Sequence, residues 1–144
     1  MASRVEFAVS ATPVYSHAAG EGSAVDAIAA DVGKSLGGSG SVTCTWGSTI
    51  GYSSGDPVHV IASTATSLGT FTSVKFVFIK HSGYTTDALT TSTTSTLSVM
   101  EGGNQFAVLG AGDAIILPYA VADTPVLTAT SSSGNIAVEV MGTS

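Results

Sequence analysis

Charge is what this sequence has least of. Charged side chains make up only 10% of its 144 residues, against about 25% in an average soluble domain. Lys and Arg together number four and Asp and Glu ten, so the formal net charge is -6. Four cations argue against a nucleic-acid partner, because phosphate binding requires a basic cluster. Ser, Thr and Gly must instead form much of the surface, and they enter protein interfaces at little desolvation cost.

Cysteine and histidine are scarce as well. Cys44 is the single cysteine, so no intrachain disulfide can form, and its alternating neighbours predict a small buried hydrophobe. The three histidines, His17, His59 and His81, lie far apart in the sequence. The pattern predicts a hydrogen-bonded structural role for His59 in an apolar strand and an exposed strand end for His81. We therefore expect no metal, no cofactor, no catalytic residue and no enzymatic activity.

Long hydrophobic runs are also missing. The longest, residues 114–122, contains Pro118 and falls well short of the roughly 20 residues that a membrane-spanning helix needs. The first residues contain no apolar core of a signal peptide. We expect a chain made in a cytoplasm, without export and without membrane association.

What the sequence does contain is a series of short apolar segments separated by Gly, Ser and Thr. This spacing predicts one mainly β domain over residues 1–144, with N-terminal strands and a helix in 1–70 and a β-meander in 71–144. Both faces of segment 74–81 are apolar, which predicts a strand covered on both sides. The predicted strands are 4–9, 42–46, 57–63, 74–81, 96–100, 105–109, 114–117, 125–130 and 136–141.

One segment predicts a helix. Residues 23–36 begin with Ser23 as a candidate N-cap, and Asp26 completes a capping-box pattern. An apolar stripe follows at helical spacing, and Gly37-Gly38 would end the helix before a turn at 39–41. By contrast, residues 82–95 are rich in Ser and Thr without periodicity, which predicts a long exposed loop.

Two short sequence segments in the C-terminal half resemble those of a known protein family. Residues 76–84 read Phe-Val-Phe-Ile-Lys-His-Ser-Gly-Tyr, and residues 109–118 read Leu-Gly-Ala-Gly-Asp-Ala-Ile-Ile-Leu-Pro, before a final hairpin strand at 135–140. Because these segments occur in this order, residues 71–142 resemble a group of small β-sandwich virion proteins of tailed bacteriophages. Asn-Thr-Gly is usual in that group where this chain has His81-Ser82-Gly83, and Pro-Gly-Glu-Ala where it has residues 111–114.

The resemblance implies a fold, a function and partners. The fold it implies is a β-sandwich, and together with the strand spacing and the helix predicted at 23–36 we expect a jelly-roll-like antiparallel β-sandwich with one short N-terminal helix. The function would be that of a capsid decoration, or cement, protein on the outer capsid surface of a virion, made in the host cytoplasm. The major capsid protein would be its partner, and the protein itself would be a homotrimer.

Seven residues are candidate partner contacts, from the first strand and from predicted loops. The segment 4–9 can add to an exposed sheet edge of a capsid subunit, or pair within its own domain, and the sequence leaves both open. The loop residues are candidate interface anchors. The seven residues are Arg4, Val5, Phe7, Val9, Tyr84, Leu89 and Tyr119.

Two other functions fit the same sequence less well. A tail- or fibre-associated protein that binds a host receptor would need an aromatic or acidic loop cluster, and the loop tyrosines are scattered. A cupin-like enzyme is the other alternative, because residues 109–118 are similar to the second cupin motif. Cupins hold their metal with a pair of histidines one residue apart, and this chain has no such pair.

Overall fold

The computed structural model describes residues 3–11, 37–44, 58–69 and 71–143. Within these residues the chain forms β-strands and no helix, which confirms the mainly β prediction. The helix predicted at 23–36 lies outside the described residues. The strands are β1 (Ser3–Ser10), β2 (Gly37–Cys44), β3 (Val58–Ile61), β4 (Thr66–Ser67), β5 (Val74–His81), β6 (Leu97–Glu101), β7 (Asn104–Leu109), β8 (Ala114–Asp123), β9 (Leu127–Ser131) and β10 (Ile136–Thr143). No helix in the described ranges is long and apolar enough to cross a membrane.

The chain divides into two compact units, residues 4–41 and residues 1–3 with 42–144. In the smaller unit β1 and β2 form a two-stranded sheet. The predicted strand at 4–9 is present, but the turn predicted at 39–41 is wrong, because β2 begins at Gly37. A Cβ atom on Gly40 would lie 2.7 Å from Cζ of Phe7. Glycine at this position therefore provides room for an aromatic ring on the neighbouring strand and does not break the strand.

The larger unit contains two four-stranded antiparallel sheets. The first sheet has the order β3-β10-β5-β8 and the second β4-β9-β6-β7. The pairs are nested along the chain: β6 pairs with β7, β5 with β8, β4 with β9, and β3 with β10. Two further pairings, β5 with β10 and β6 with β9, join these pairs into sheets. Strands far apart in sequence are therefore neighbours in both sheets.

Both sheets contribute side chains to one hydrophobic core. Every second residue of each central strand is buried, as expected for a strand with one face on a core. Burying each Val, Leu or Ile side chain among them stabilises the fold by about 1.5–3 kcal/mol. The core includes Val77, Ile79, Val138 and Val140 from the first sheet and Leu97, Val99, Leu127 and Ala129 from the second.

The edge strand β8 is longer than the sequence predicted. The prediction ended this strand at residue 117 because of Pro118, but β8 continues to Asp123. Pro118 lies opposite Phe76 of β5, and the register then shifts. Proline is tolerated here because an edge strand has one side on which a missing N–H needs no partner. On β5 itself Phe76 and Val77 are both buried although they point to opposite faces.

Candidate functional site

The outward face of the second sheet carries no charged side chain on its described strands. Leu97 and Val99 of β6 point into the core, so Ser98 and Met100 between and after them point outward. The same alternation applies to β7 and β9. We define the uncharged face as Ser98, Met100, Gln105, Phe106, Val108, Val126, Thr128 and Thr130.

Strand register arranges this face in rows. Thr130, Ser98 and Val108 lie side by side across β9, β6 and β7, and Thr128, Met100 and Gln105 form the next row. Hydroxyl and apolar groups are thereby mixed on one surface.

A β-bulge adds an aromatic ring to the uncharged face. Val99 pairs with Ala107 and Met100 with Gln105, so Phe106 is an extra residue in β7. A bulge of this kind turns two successive side chains towards the same face. Phe106 is 43% exposed, Val108 52% and Val126 67%. The uncharged face therefore presents three large apolar side chains to its surroundings, and a surface of this composition is suited to contact with another protein.

The strand β7 also forms one edge of the second sheet. Its outer edge has no partner strand among the described residues. An unpaired edge exposes a row of backbone N–H and C=O groups that can pair with another chain, and many proteins protect such edges with lysine, proline or a β-bulge. The six residues of β7, Asn-Gln-Phe-Ala-Val-Leu, include neither lysine nor proline, and the strand has one bulge, at Phe106.

The segment predicted as a long exposed loop is exposed at residues 86–92 and folds back on itself as a hairpin. Tyr84 and Ser92 form a β-bridge. The N–H of Thr85 donates to the carbonyl of Thr91 at 2.8 Å, and that of Thr93 donates to Gly83 at 2.9 Å. We call residues 82–95 the hairpin. Leu89, with a φ of 53° and an exposed fraction of 37%, lies near its tip.

His81 anchors the base of the hairpin. Its Nδ1 accepts a hydrogen bond from the N–H of Gly83 at 3.0 Å, and its Nε2 lies 2.9 Å from the carbonyl of Ser95. These partners place the ring proton on Nε2. The prediction of an exposed His81 is wrong, because the side chain is fully buried. The signal was present in the sequence: His81 alternates with Ile79 and Val77, which both face the core.

The glycine-rich motif at 109–118 is a turn attached to the same histidine. The N–H of Gly110 donates to Oδ2 of Asp113 at 2.8 Å, and Gly112 has a φ of +89°, which favours glycine. The N–H of Gly112 donates to the carbonyl of His81, and the N–H of His81 donates to that of Asp113, both at 2.9 Å. The turn therefore connects β7 of the second sheet to β8 of the first and also fixes the base of the hairpin.

The structure brings only some of the seven predicted contact residues together. Tyr84 is half-buried at the base of the hairpin and Leu89 lies near its tip. Tyr119 was expected in a loop but lies in β8, where it packs against the core. Burial raises its pKa, and the charges of Glu101 and Asp123 add to this effect. Because β8 runs from the hairpin end of β5 towards Val74, Tyr119 lies away from the hairpin.

The other four predicted residues lie on β1. Nε of Arg4 is 2.7 Å from Oε1 of Glu6, and both side chains are well exposed. Val9 is also exposed, whereas Val5 and Phe7 are half-buried. Beside them, Glu6 to Ala8 and Ser39 to Ser41 line an open groove of about 530 Å³. These residues form a surface within the small unit.

No group of three His, Cys, Asp or Glu side chains in the described part of the chain could hold a metal ion. The side chain of His59 is outside that part. No family model, no curated protein and no solved structure matches the chain.

Proposed function

We propose that this chain is a non-enzymatic structural protein of a virion, a decoration protein that binds the outer surface of an assembled bacteriophage head. The observation that carries the proposal is the uncharged face, with Phe106, Val108 and Val126 exposed. Docking of such a face removes hydroxyl and apolar groups from water and no ion, so the desolvation cost is small. Shell binding then stabilises the assembled lattice by mass action, because the protein binds the lattice and not free subunits.

The strand order supports a jelly-roll β-sandwich as the fold behind this function. Nested antiparallel pairs from β6–β7 out to β3–β10, divided between two sheets around one core, fit two Greek keys. Viral capsid and lectin domains often have this architecture, and cupins share it. The family resemblance of residues 71–142 favours the virion among these. It also implies the major capsid protein as partner and a homotrimer, and the homotrimer stays a prediction.

The first test of the proposal is the copy number of the protein in the virion. In particles of the phage that encodes the chain, quantitative mass spectrometry should find the protein in a copy number comparable with that of the major capsid protein. A few copies per particle would place it in the tail instead.

The second test is binding to expanded shells that lack the protein. Thr130→Lys puts a charge on the β9 side of the uncharged face and should abolish co-sedimentation with shells. Thr72→Lys puts the same charge at an exposed position between β4 and β5 and should leave binding intact. If the wild-type protein does not bind shells, or if Thr130→Lys binds as well as wild type, the proposal fails.

The hairpin favours one alternative, a tail- or fibre-associated protein that binds a host receptor. Its exposed residues include Thr86, Asp87 and Thr90 beside Leu89, and hydroxyl and carboxylate groups on an ordered loop are suited to hydrogen bonding with sugars. Binding of purified protein to host cells, lost on deletion of residues 86–90, would support this function over decoration.

A further inference from the structure

We infer that β7 pairs with β7 of a second copy of this chain, antiparallel across a two-fold axis, and so joins two second sheets into one. The inference does not depend on the proposed function, because it rests on the edge of this strand alone. It begins from the unpaired backbone groups of the outer edge of β7, which only another extended strand can satisfy as a row.

The charge distribution favours a second copy as the occupant. The chain has a net charge of -6, so two copies repel each other unless they meet along a surface without carboxylates. All six residues of β7 are uncharged. The nearest carboxylates in sequence are Glu101 and Asp113, which lie beyond the two ends of the strand.

The side chains are self-complementary about Ala107. When Ala107 lies on the two-fold axis, Phe106 of each copy faces Val108 of the other, and both belong to the uncharged face. Pairs of an aromatic and a β-branched residue are among the favourable cross-strand pairs, and the symmetry repeats the pair. Phe106 and Val108 are 43% and 52% exposed in the single chain, so both have apolar surface left to bury.

Two of the other described sheet edges are poorer partners for β7. At the opposite edge of the second sheet, β4 has only two residues, Thr66–Ser67. At one edge of the first sheet, β8 contains Pro118, which has no N–H to donate to a paired strand. Pairing between unlike edges would build a ring such as the homotrimer that the resemblance implies, whereas pairing of like edges gives a closed dimer.

The test is the mass of the protein in solution without any shell, by light scattering and sedimentation over a wide concentration range. Wild type should be a dimer. Val108→Lys should weaken the dimer roughly tenfold or more, because the symmetry repeats each lost side-chain pair and each unfavourable charge. Thr130→Lys is the matched control, since it adds the same charge to the same face two strands away from the edge, and its dimer should persist.

Salt and crosslinking add independent readouts. Higher salt should tighten the dimer, because carboxylates lie at both ends of the paired strands. In a Cys44→Ser background, oxidation of a mixture of Phe106→Cys and Val108→Cys should give a disulfide-linked dimer that neither variant forms alone, since opposed residues in an antiparallel pair lie about 4.5–5.5 Å apart.

Three results would overturn the inference. They are a monomer or a trimer at the highest concentration, a dimer that Thr130→Lys disrupts as strongly as Val108→Lys, and crosslinking of each cysteine variant with itself but not in the mixture. Circular dichroism and thermal melts of each variant show whether it is still folded, so that loss of the dimer can be distinguished from unfolding. Because no shell is present, these outcomes are separate from those that test shell binding.

Discussion

Replacement of His81 by leucine should detach the hairpin from the core. Leucine is apolar and close to histidine in size, so it keeps the packing and removes both ring hydrogen bonds. The N–H of Gly83 and the carbonyl of Ser95 then lose their partners. A buried polar group left unsatisfied costs about 1–3 kcal/mol. Both groups are half-buried, so water reaches them in part, and the lower end of that range applies to each.

The expected loss is therefore about 2 kcal/mol in the free energy of unfolding. Urea denaturation followed by far-UV circular dichroism measures this loss. Amide hydrogen exchange locates it: the amides of Gly83, Thr85 and Thr93 should exchange faster in His81→Leu, while amides in β6 and β9 should change less. Such a pattern would mean that the hairpin opens without global unfolding.

His81→Gln is the matched variant. Its amide nitrogen can reach the position of Nε2 and restore the bond to Ser95, so its loss should be about 1 kcal/mol. The reasoning is refuted if His81→Leu changes stability by less than about 0.5 kcal/mol, the usual range of an unimportant surface substitution. It is also refuted if His81→Gln is as unstable as His81→Leu.

Three further predictions follow from other residues. Leu89→Gly should leave the thermal melting temperature nearly unchanged, because removal of about 1 kcal/mol of left-handed backbone strain offsets the flexibility of glycine. Leu89→Ile should lower the melting temperature of the protein, and equal melting temperatures for the two variants would contradict this prediction. Val99→Ala should lower the free energy of unfolding, measured by urea denaturation, by about 2–3 kcal/mol, and Val108→Ala should lower it by less than about 0.5 kcal/mol. Similar losses would contradict the assignment of Val99 to the core and Val108 to the outward face. Tyr119 has a raised pKa, so above pH of about 10 the unfolded chain loses a proton that the folded chain keeps, and stability falls as pH rises. The free energy of unfolding of Tyr119→Phe should fall less than that of wild type over that pH range. If the difference in free energy of unfolding between the two proteins does not change with pH, the raised pKa of Tyr119 is contradicted.

The strands could be predicted from sequence because alternation and turn residues are local signals. The segment 74–81 matches β5 residue for residue, and the strands around 105–109 and 136–141 were also found. The sequence-based prediction was wrong where the conformation of a residue depends on a contact with a residue that is distant in the sequence. Gly40 lies against Phe7, and Pro118 lies on an edge strand, but in the sequence alone both resemble strand breakers.

The uncharged face could not be predicted for a different reason. Four consecutive residues of β7, from Phe106 to Leu109, are apolar, so alternation of polarity did not distinguish the inward from the outward positions. The bulge at Phe106 depends on the register against β6, which no local pattern specifies. The homotrimer and the capsid partner came from resemblance alone and stay predictions.

The nested pairing has a consequence for how the chain is made. In the first sheet β10 lies between β3 and β5, so this sheet has a gap at its centre until residues 136–143 have left the ribosome. Among the nested pairs only β6 and β7 are joined by a tight turn, and each later pair closes a longer loop, which slows folding. Until β10 has emerged, the nascent chain consequently exposes two unpaired strand edges, and a chain truncated before β10 would be prone to aggregate rather than form a smaller folded protein.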